Sequence, residues 1–328
     1  MPTGFLRLAS TIGLAIALCF AAGTAALSQN FPEKPIRFIV SFPAGGSMDG
    51  VARAMQPALE KNLGQPVVVE HRGGAGGVIG TDAVAKAAPD GYTIGMSGAG
   101  ALAINISLQE KMPFDPRKDL APISKAAESP FILAATAAFK PSSLRELIAL
   151  AKSAPAGVAI GHGGNGTAMH LTAQMFNGGA GVALPLIPYR GTAPVVTDLI
   201  GGHVVLGIVD PPPALAPFRA GQIKPIAISS KQRFAMFPDI PTFAEQGLAG
   251  FETTGWFGIV APGATDPKII ARLNSAVVAS LNDPEVAKRI RAIGMEPTPM
   301  TSAQFGDYIR SEIEKYSKVI AGAAAKPN

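Results

Sequence analysis

"FPAGGSMDG", Phe42–Gly50, follows the apolar, β-branched run "IRFIVSF" (Ile36–Phe42) and opens a segment in which Val51, Met55, Leu59 and Leu63 recur every four positions. A short buried strand, a glycine turn and a helix closed by Gly64 account for this pattern. Ser47 is the expected N-cap. Unpaired N–H groups and the helix dipole point the same way at such a helix start, so the turn is an anion cradle.

The same order recurs along the chain. "PVVVEHR" (Pro66–Arg72) reads as a strand, "GGAGG" as a turn, "VIGTDAVAKAA" as a helix and "YTIGMSG" (Tyr92–Gly98) as a third strand. Further on, "FILAAT", "SSLRELIALAKSA", "GVAIGHGGNGTAMHLTAQMF", "LPLIPYRGTAPVVTDLIGG", "HVVLGIVD" and "IKPIAISS" repeat the alternation. "DPKIIARLNSAVVASLND" and "SAQFGDYIRSEIEKYSKVIAGAA" are helical. Strand–helix–strand units of this length predict parallel sheets with right-handed crossovers. Glycine turns occur in both halves, in "FPAGGSMD", "SGAGALA", "GHGGNGTAMH" and "PYRGTAP". Ligands of open α/β sheets bind at the carboxyl ends of strands, where these turns fall, and two lobes presenting them to each other make a cleft.

The 328 residues suffice for two domains, and 48% hydrophobic with 16% charged residues excludes a disordered chain. The net charge of +5 is spread without any Lys/Arg run, so no nucleic-acid partner is expected. Arg7, the apolar "TIGLAIALCF" and the small residues of "AAGTAALSQN" read as a signal peptide over residues 1–28, cleaved between Ala26 and Gln29. No comparable apolar stretch follows, which weighs against a retained anchor, and Leu18 before Cys19 weighs against a lipoprotein. Loss of the leader removes the only cysteine, so the mature chain is expected in the bacterial periplasm without a disulfide.

Three familiar chemistries fail on spacing. "AGGSMD" lacks the lysine of a P-loop, and "GAGGVIG" has the wrong interval for a dinucleotide turn. "GMSGA" puts Ala99 where a nucleophile elbow needs glycine, so Ser97 reads as a hydroxyl donor. His162 and His170 have no carboxylate or cysteine at ligand spacing, so no metal is expected; His170 reads as bonding within its turn, His71 and His203 as surface or strand-end residues. Neutral donors remain: the N–H groups of Gly45, Gly46 and Ser47, the hydroxyls of Ser47, Thr167 and Thr192, and the Asn165 amide. Such donors suit an exchangeable carboxylate. Tyr189 and Arg190 add a phenol and a guanidinium, with a surface salt bridge the competing role for Arg190, and Asp49 reads most simply as a cap in its helix's first turn.

These residues carry a resemblance that runs through the whole mature chain. "FPEKPIRFIVSFPAGGSMD", "LGQPVVVEHRGGAGGVIGTDAVAKAAPDGYTI", "MPFDPRKDLAPI", "GNGTAMHLTAQMF", "PYRGTAPVVTDLIGG", "FPDIPTFAEQGLAGFE" and "WFGIVAPGATDPKIIARLN" resemble the Bug family, periplasmic solute-binding receptors of tripartite tricarboxylate transporters. The resemblance implies a type II periplasmic-binding-protein fold: two α/β lobes with a ligand cleft between them, residues 29–128 and 253–328 in lobe I and 129–252 in lobe II. It places the crossings near Glu128 and Glu252. It implies a monomer without cofactor that holds a dicarboxylic or aromatic acid and hands it to membrane permease subunits. Carried over, the first-lobe site is the turn with Phe42, Ala44, Gly45, Gly46, Ser47 and Asp49, together with Ser97, Ala99 and Ala101. The second-lobe site is Gly164, Asn165, Gly166, Thr167 and His170, then Tyr189, Arg190, Gly191, Thr192 and Ala193, then Asp210. Where relatives often have Phe-Asp-Asn-Leu-Pro, this chain has "IVDPPPAL", and Met48 stands where Thr is common. A ligand-sensing partner of a membrane kinase would use the same fold, and a secreted hydrolase built on Ser97 is the remaining alternative.

Overall fold

The computed structural model describes residues 31–109, 111–153 and 157–324. The predicted leader, with Cys19, lies outside them.

Ile36, Phe38, Ile39 and Val40 are wholly buried, which makes β1 (Ile36–Val40) an interior strand. β2 (Val67–His71) and β3 (Thr93–Gly98) flank it in parallel register, Ile36 opposite Val67 and Arg37 opposite Thr93. α1 (Ser47–Leu63) links β1 to β2 and buries Val51, Met55, Leu59 and Leu63. It ends on Gly64 at φ 75°, a left-handed position that glycine adopts without steric cost. Its N-cap is Gly46, not Ser47: Ser47 already has helical geometry and no side chain caps this end. α2 (Val78–Ala85) leads to β3, and a wide helical turn, Gly100–Ile104, runs into α3 (Asn105–Leu108).

The chain then threads β4 (Leu120–Pro130) and enters a second sheet at β5 (Ile132–Thr136). There α4 (Leu144–Ser153), β6 (Ile160–His162), α5 (Ala168–Ala180), β7 (Leu186–Pro188), α6 (Thr192–Gly201), β8 (Leu206–Val209), α7 (Pro211–Arg219) and β9 (Ile223–Ile228) follow in turn. The chain returns through β10 (Thr254–Pro262) to α8 (Pro267–Asn282), α9 (Pro284–Ala292), β11 (Glu296–Pro297) and α10 (Ser302–Ala324). The first sheet has the order β11-β4-β10-β3-β1-β2 and the second β7-β6-β8-β5-β9.

Neither sheet is purely parallel, contrary to the expectation from the strand–helix alternation. β10 is antiparallel to both β3 and β4, and β5 is antiparallel to both β8 and β9. The cause is topological: β10 brings the chain back from the other lobe and β5 carries it in, so each runs against its neighbours.

One buried serine ties the two crossing segments together. The Ser229 hydroxyl accepts from the Phe131 N–H (2.8 Å) and donates to the Thr253 carbonyl (2.6 Å). Its own N–H and carbonyl bond Phe131 and Thr253 as well, at 2.8 and 3.0 Å. Ser229→Ala would leave a buried N–H and a buried carbonyl short of a partner. We expect it to cost about 1–3 kcal/mol, read as a lowered urea midpoint.

Candidate functional site

The first-lobe wall of the cleft is the loop before α1. Asp49, buried in the first turn of α1, accepts from the Gly45 N–H (2.9 Å) and the Arg53 Nε (2.9 Å) and pairs with His71 Nε2 (2.7 Å) at the end of β2. Burial acts to raise its pKa, but hydrogen bonds from Gly45, Arg53 and His71 together outweigh it and hold the carboxyl below its ordinary 3.8. Asp49 is thus a brace that fixes the loop against β2, and the Gly45 N–H, expected as a ligand donor, is engaged by it. The first intrahelical bond is Gly50 N–H to the Gly46 carbonyl (3.0 Å). The N–H groups of Ser47, Met48 and Asp49 precede it and have no acceptor in the helix.

Across the cleft, α6 begins after Gly191, held at φ 101° with its N–H on the Gly163 carbonyl (3.1 Å). Thr192 and Ala193 offer their N–H groups; Pro194 has none. α5 starts differently. Its N-cap Thr167 accepts from the His170 N–H (3.2 Å) and donates to the Gly164 carbonyl (2.7 Å), so this hydroxyl serves the helix instead of a ligand. His170 Nδ1 accepts from the Gly166 N–H (3.3 Å), and its ring stacks on His162 at 4.7 Å. Burial and the neighbouring His170 push the His162 imidazole down to about 4, against a hydrogen bond from Gly164.

The lobes meet on both flanks of the cleft. On one, Asn105 Nδ2 donates to the Gly100 carbonyl of its own lobe and to the Gly166 carbonyl of the other, both at 3.0 Å. A Cβ on Gly100 would lie 2.8 Å from the Gly166 and Gly76 oxygens, so only glycine permits this approach. On the other flank a Cβ on Gly294 would lie 2.3 Å from Pro211 Cβ. This is a closed arrangement.

Two spaces of about 480 and 460 Å³, open solvent at their mouths included, remain between the lobes. Phe42, Met169, Asp210 and Phe257 line both. Ala44, Gly46, Ser47, Arg190, Gly191, Thr192 and Ala193 border the first, Ala99 and Thr167 the second. Gly164, Asn165 and Tyr189 border a third, larger space of about 1430 Å³, open solvent included, that shares Phe42, Ala44 and Arg190 with the first; the Tyr189 phenol donates to Asp198 (2.7 Å). Burial first, and then Asp198, push that phenol up to about 12, so it is committed to the acid and is no ligand donor. Ser97 is fully buried against Thr81 (2.7 Å), and Ala101 is equally enclosed; both stand behind the wall. Arg190 is exposed and, among the described residues, makes no salt bridge, which removes its competing role. Met169, Trp256 and Phe257 were not anticipated as lining residues; the single Trp beside Phe between glycines, "GWFG", was the available signal.

A cleft between two α/β lobes, joined by two crossings and closed over a cavity faced by helix starts, is the build of a solute receptor. The chain belongs to the tripartite tricarboxylate transporter family of receptors, whose family model matches residues 51–324. It is 41% identical to protein BugT of Bordetella pertussis over 98% of both chains. The structure of the periplasmic binding protein BugD superposes with a TM-score of 0.86 at 32% identity, covering 91% of this chain and all of that one. R. palustris Rpa4515 with adipate gives the same TM-score and identity, over 90% and 98% of the two chains. The resemblance read from the sequence and the type II periplasmic-binding-protein fold it implied are thereby established.

Asn105→Ala should loosen the closed form and weaken ligand capture about fivefold, one hydrogen bond being worth about 1 kcal/mol. Small-angle scattering of the liganded receptor would show the larger radius. A second expectation concerns acid. Below pH 6.5 the unfolded chain takes up a proton at His162 that the folded chain refuses until about pH 4, so stability falls with pH across that window. The loss is about 3 kcal/mol at its acid end. His162→Phe should flatten the melting temperature between those limits.

Proposed function

We propose that this receptor closes on a small carboxylate, does not transform it, and presents it to membrane permease subunits of a tripartite tricarboxylate transporter. It works in the periplasm after export by the signal peptide read over residues 1–28. The observation that carries the reading is the pair of facing helix starts. Ser47 and Met48 at the head of α1, and Thr192 and Ala193 at the head of α6, bring open N–H groups to one cavity, with the uncommitted Arg190 at its edge. Two helix dipoles and a guanidinium favour an anion there, and hydrogen bonds to a charged carboxylate are worth about 1.5–3 kcal/mol each. The family's receptor role and the adipate held by the similar R. palustris protein support the same ligand chemistry.

Calorimetric titration with mono- and dicarboxylates, amino-substituted acids included, should give saturable one-to-one binding by at least one of them. Silence across the whole panel would overturn the proposal. Gly46→Val is a sharper probe. A Cβ there meets only the Pro43 carbonyl at 3.5 Å, an ordinary contact, while the rest of the side chain enters the cavity. We expect a loss of affinity of tenfold or more with little change in melting temperature.

A further inference from the structure

Asp210 follows β8 as the N-cap of α7, and among the described residues no hydrogen-bond partner reaches its Oδ1. An N-cap carboxylate ordinarily accepts from the N–H groups two and three residues on. Here the first three helical positions are Pro211, Pro212 and Pro213, which carry no N–H, and no cap hydrogen bond forms. The residue is 3% exposed, yet Oδ1 has no hydrogen-bond partner. The Ser47 and Thr192 hydroxyls and its own backbone N–H come close enough to favour the ionised form, but none closes on Oδ1, and Ser47 Oγ has no partner among the described residues. Burial outweighs them and raises the pKa of the acid.

The placement of charge around the cavity is the second observation. Asp210 borders both spaces between the lobes and, among the described residues, is the only charged one lining the second. The first adds Arg190, and the two form no ion pair with each other. Apolar Phe42, Met169 and Phe257 line both spaces with it, beside the neutral hydroxyl residues Ser47, Thr192, Ser129 and Thr167. A buried carboxylate in such surroundings is costly until a donor or a cation reaches it.

Taking the carboxylate site proposed above as given, we infer that the ligand is a zwitterion. Its carboxylate meets the heads of α1 and α6 beside Arg190, and a protonated amine donates to Asp210 Oδ1. A charge-assisted N–H···O bond restores the missing partner, and the zwitterion gives both Asp210 and Arg190 a counter-charge. A plain dicarboxylate would set a second acid against Asp210 and could bind only by taking up a proton.

The test titrates the receptor with two matched pairs, 6-aminohexanoate against adipate and 4-aminobutyrate against succinate, so that chain length is controlled. In at least one pair the amino acid should bind tenfold or more tighter. Asp210→Asn keeps the shape of the side chain and should reverse the order. The double variant Pro212→Ala/Pro213→Ala restores N–H groups to the head of α7. Asp210 then caps its own helix, so the preference for the amine should fall while the melting temperature holds or rises. Should the dicarboxylate bind as well as its partner, with Asp210→Asn leaving the ratio unchanged, the zwitterion inference fails and the carboxylate receptor stands. Dicarboxylate binding as tight as that of the matched amino acid, with one proton taken up as seen in buffer-dependent heats, also overturns it. No binding by any of the four overturns the inference, whereas the carboxylate receptor falls only if the whole panel is silent.

Discussion

A backbone N–H at the start of a helix has no acceptor within the helix, and this receptor places four such starts around one cleft. α1, α5, α6 and α7 follow β1, β6, β7 and β8 in the chain, so each begins where its strand ends. What distinguishes them is how their orphan donors are answered. Thr167 caps α5 from within. α7 has no donors to answer, because prolines occupy its first three positions. At α1 and α6 the caps are Gly46 and Gly191, which have no side chain to turn inward. The proposed anion site thus rests on cap chemistry: two helix heads are closed from within, and two have no side-chain cap.

The lobes that carry these heads are joined by two crossing segments. Ser229 binds those segments to each other through side chain and backbone, which holds them in register. Across the cleft, backbone meets backbone at Gly76, Gly100 and Gly166 with the Asn105 amide bridging, and on the other flank Gly294 meets the Pro211 ring. A ligand that bound the closed form better would shift the lobes toward it.

The strands and helices with strong periodicity were legible in the sequence, and so was the cleft. β1, α1 and its Gly64 stop follow from Ile36–Val40 and the four-residue spacing of Val51, Met55, Leu59 and Leu63. β4 was not legible, because its eleven residues include Pro122, Lys125, Glu128 and Pro130, which read as a polar, broken segment. Only tertiary structure explains them: Lys125 is buried, pairs with Glu128 and lies over the Tyr308 ring at 4.2 Å. The site was legible as a set of turns and illegible as a set of donors. Whether Gly45, Thr167 or Tyr189 offers its proton to a ligand depends on Asp49, Gly164 and Asp198, and no spacing rule states those partnerships.

Asp49 and Asp210 show how far this dependence goes. Both are nearly inaccessible, both sit at the head of a helix facing the same cleft, and both are the same residue type. Asp49 receives a backbone N–H, a guanidinium and an imidazole, so it stays ionised and becomes part of the scaffold. Asp210 receives no donor at Oδ1, and burial raises its pKa. Composition counts them alike, and a net charge of +5 reveals neither role. The polarity of a binding cleft is set by which acids have had their donors supplied by the fold, since only an acid left without them exerts a demand on the ligand.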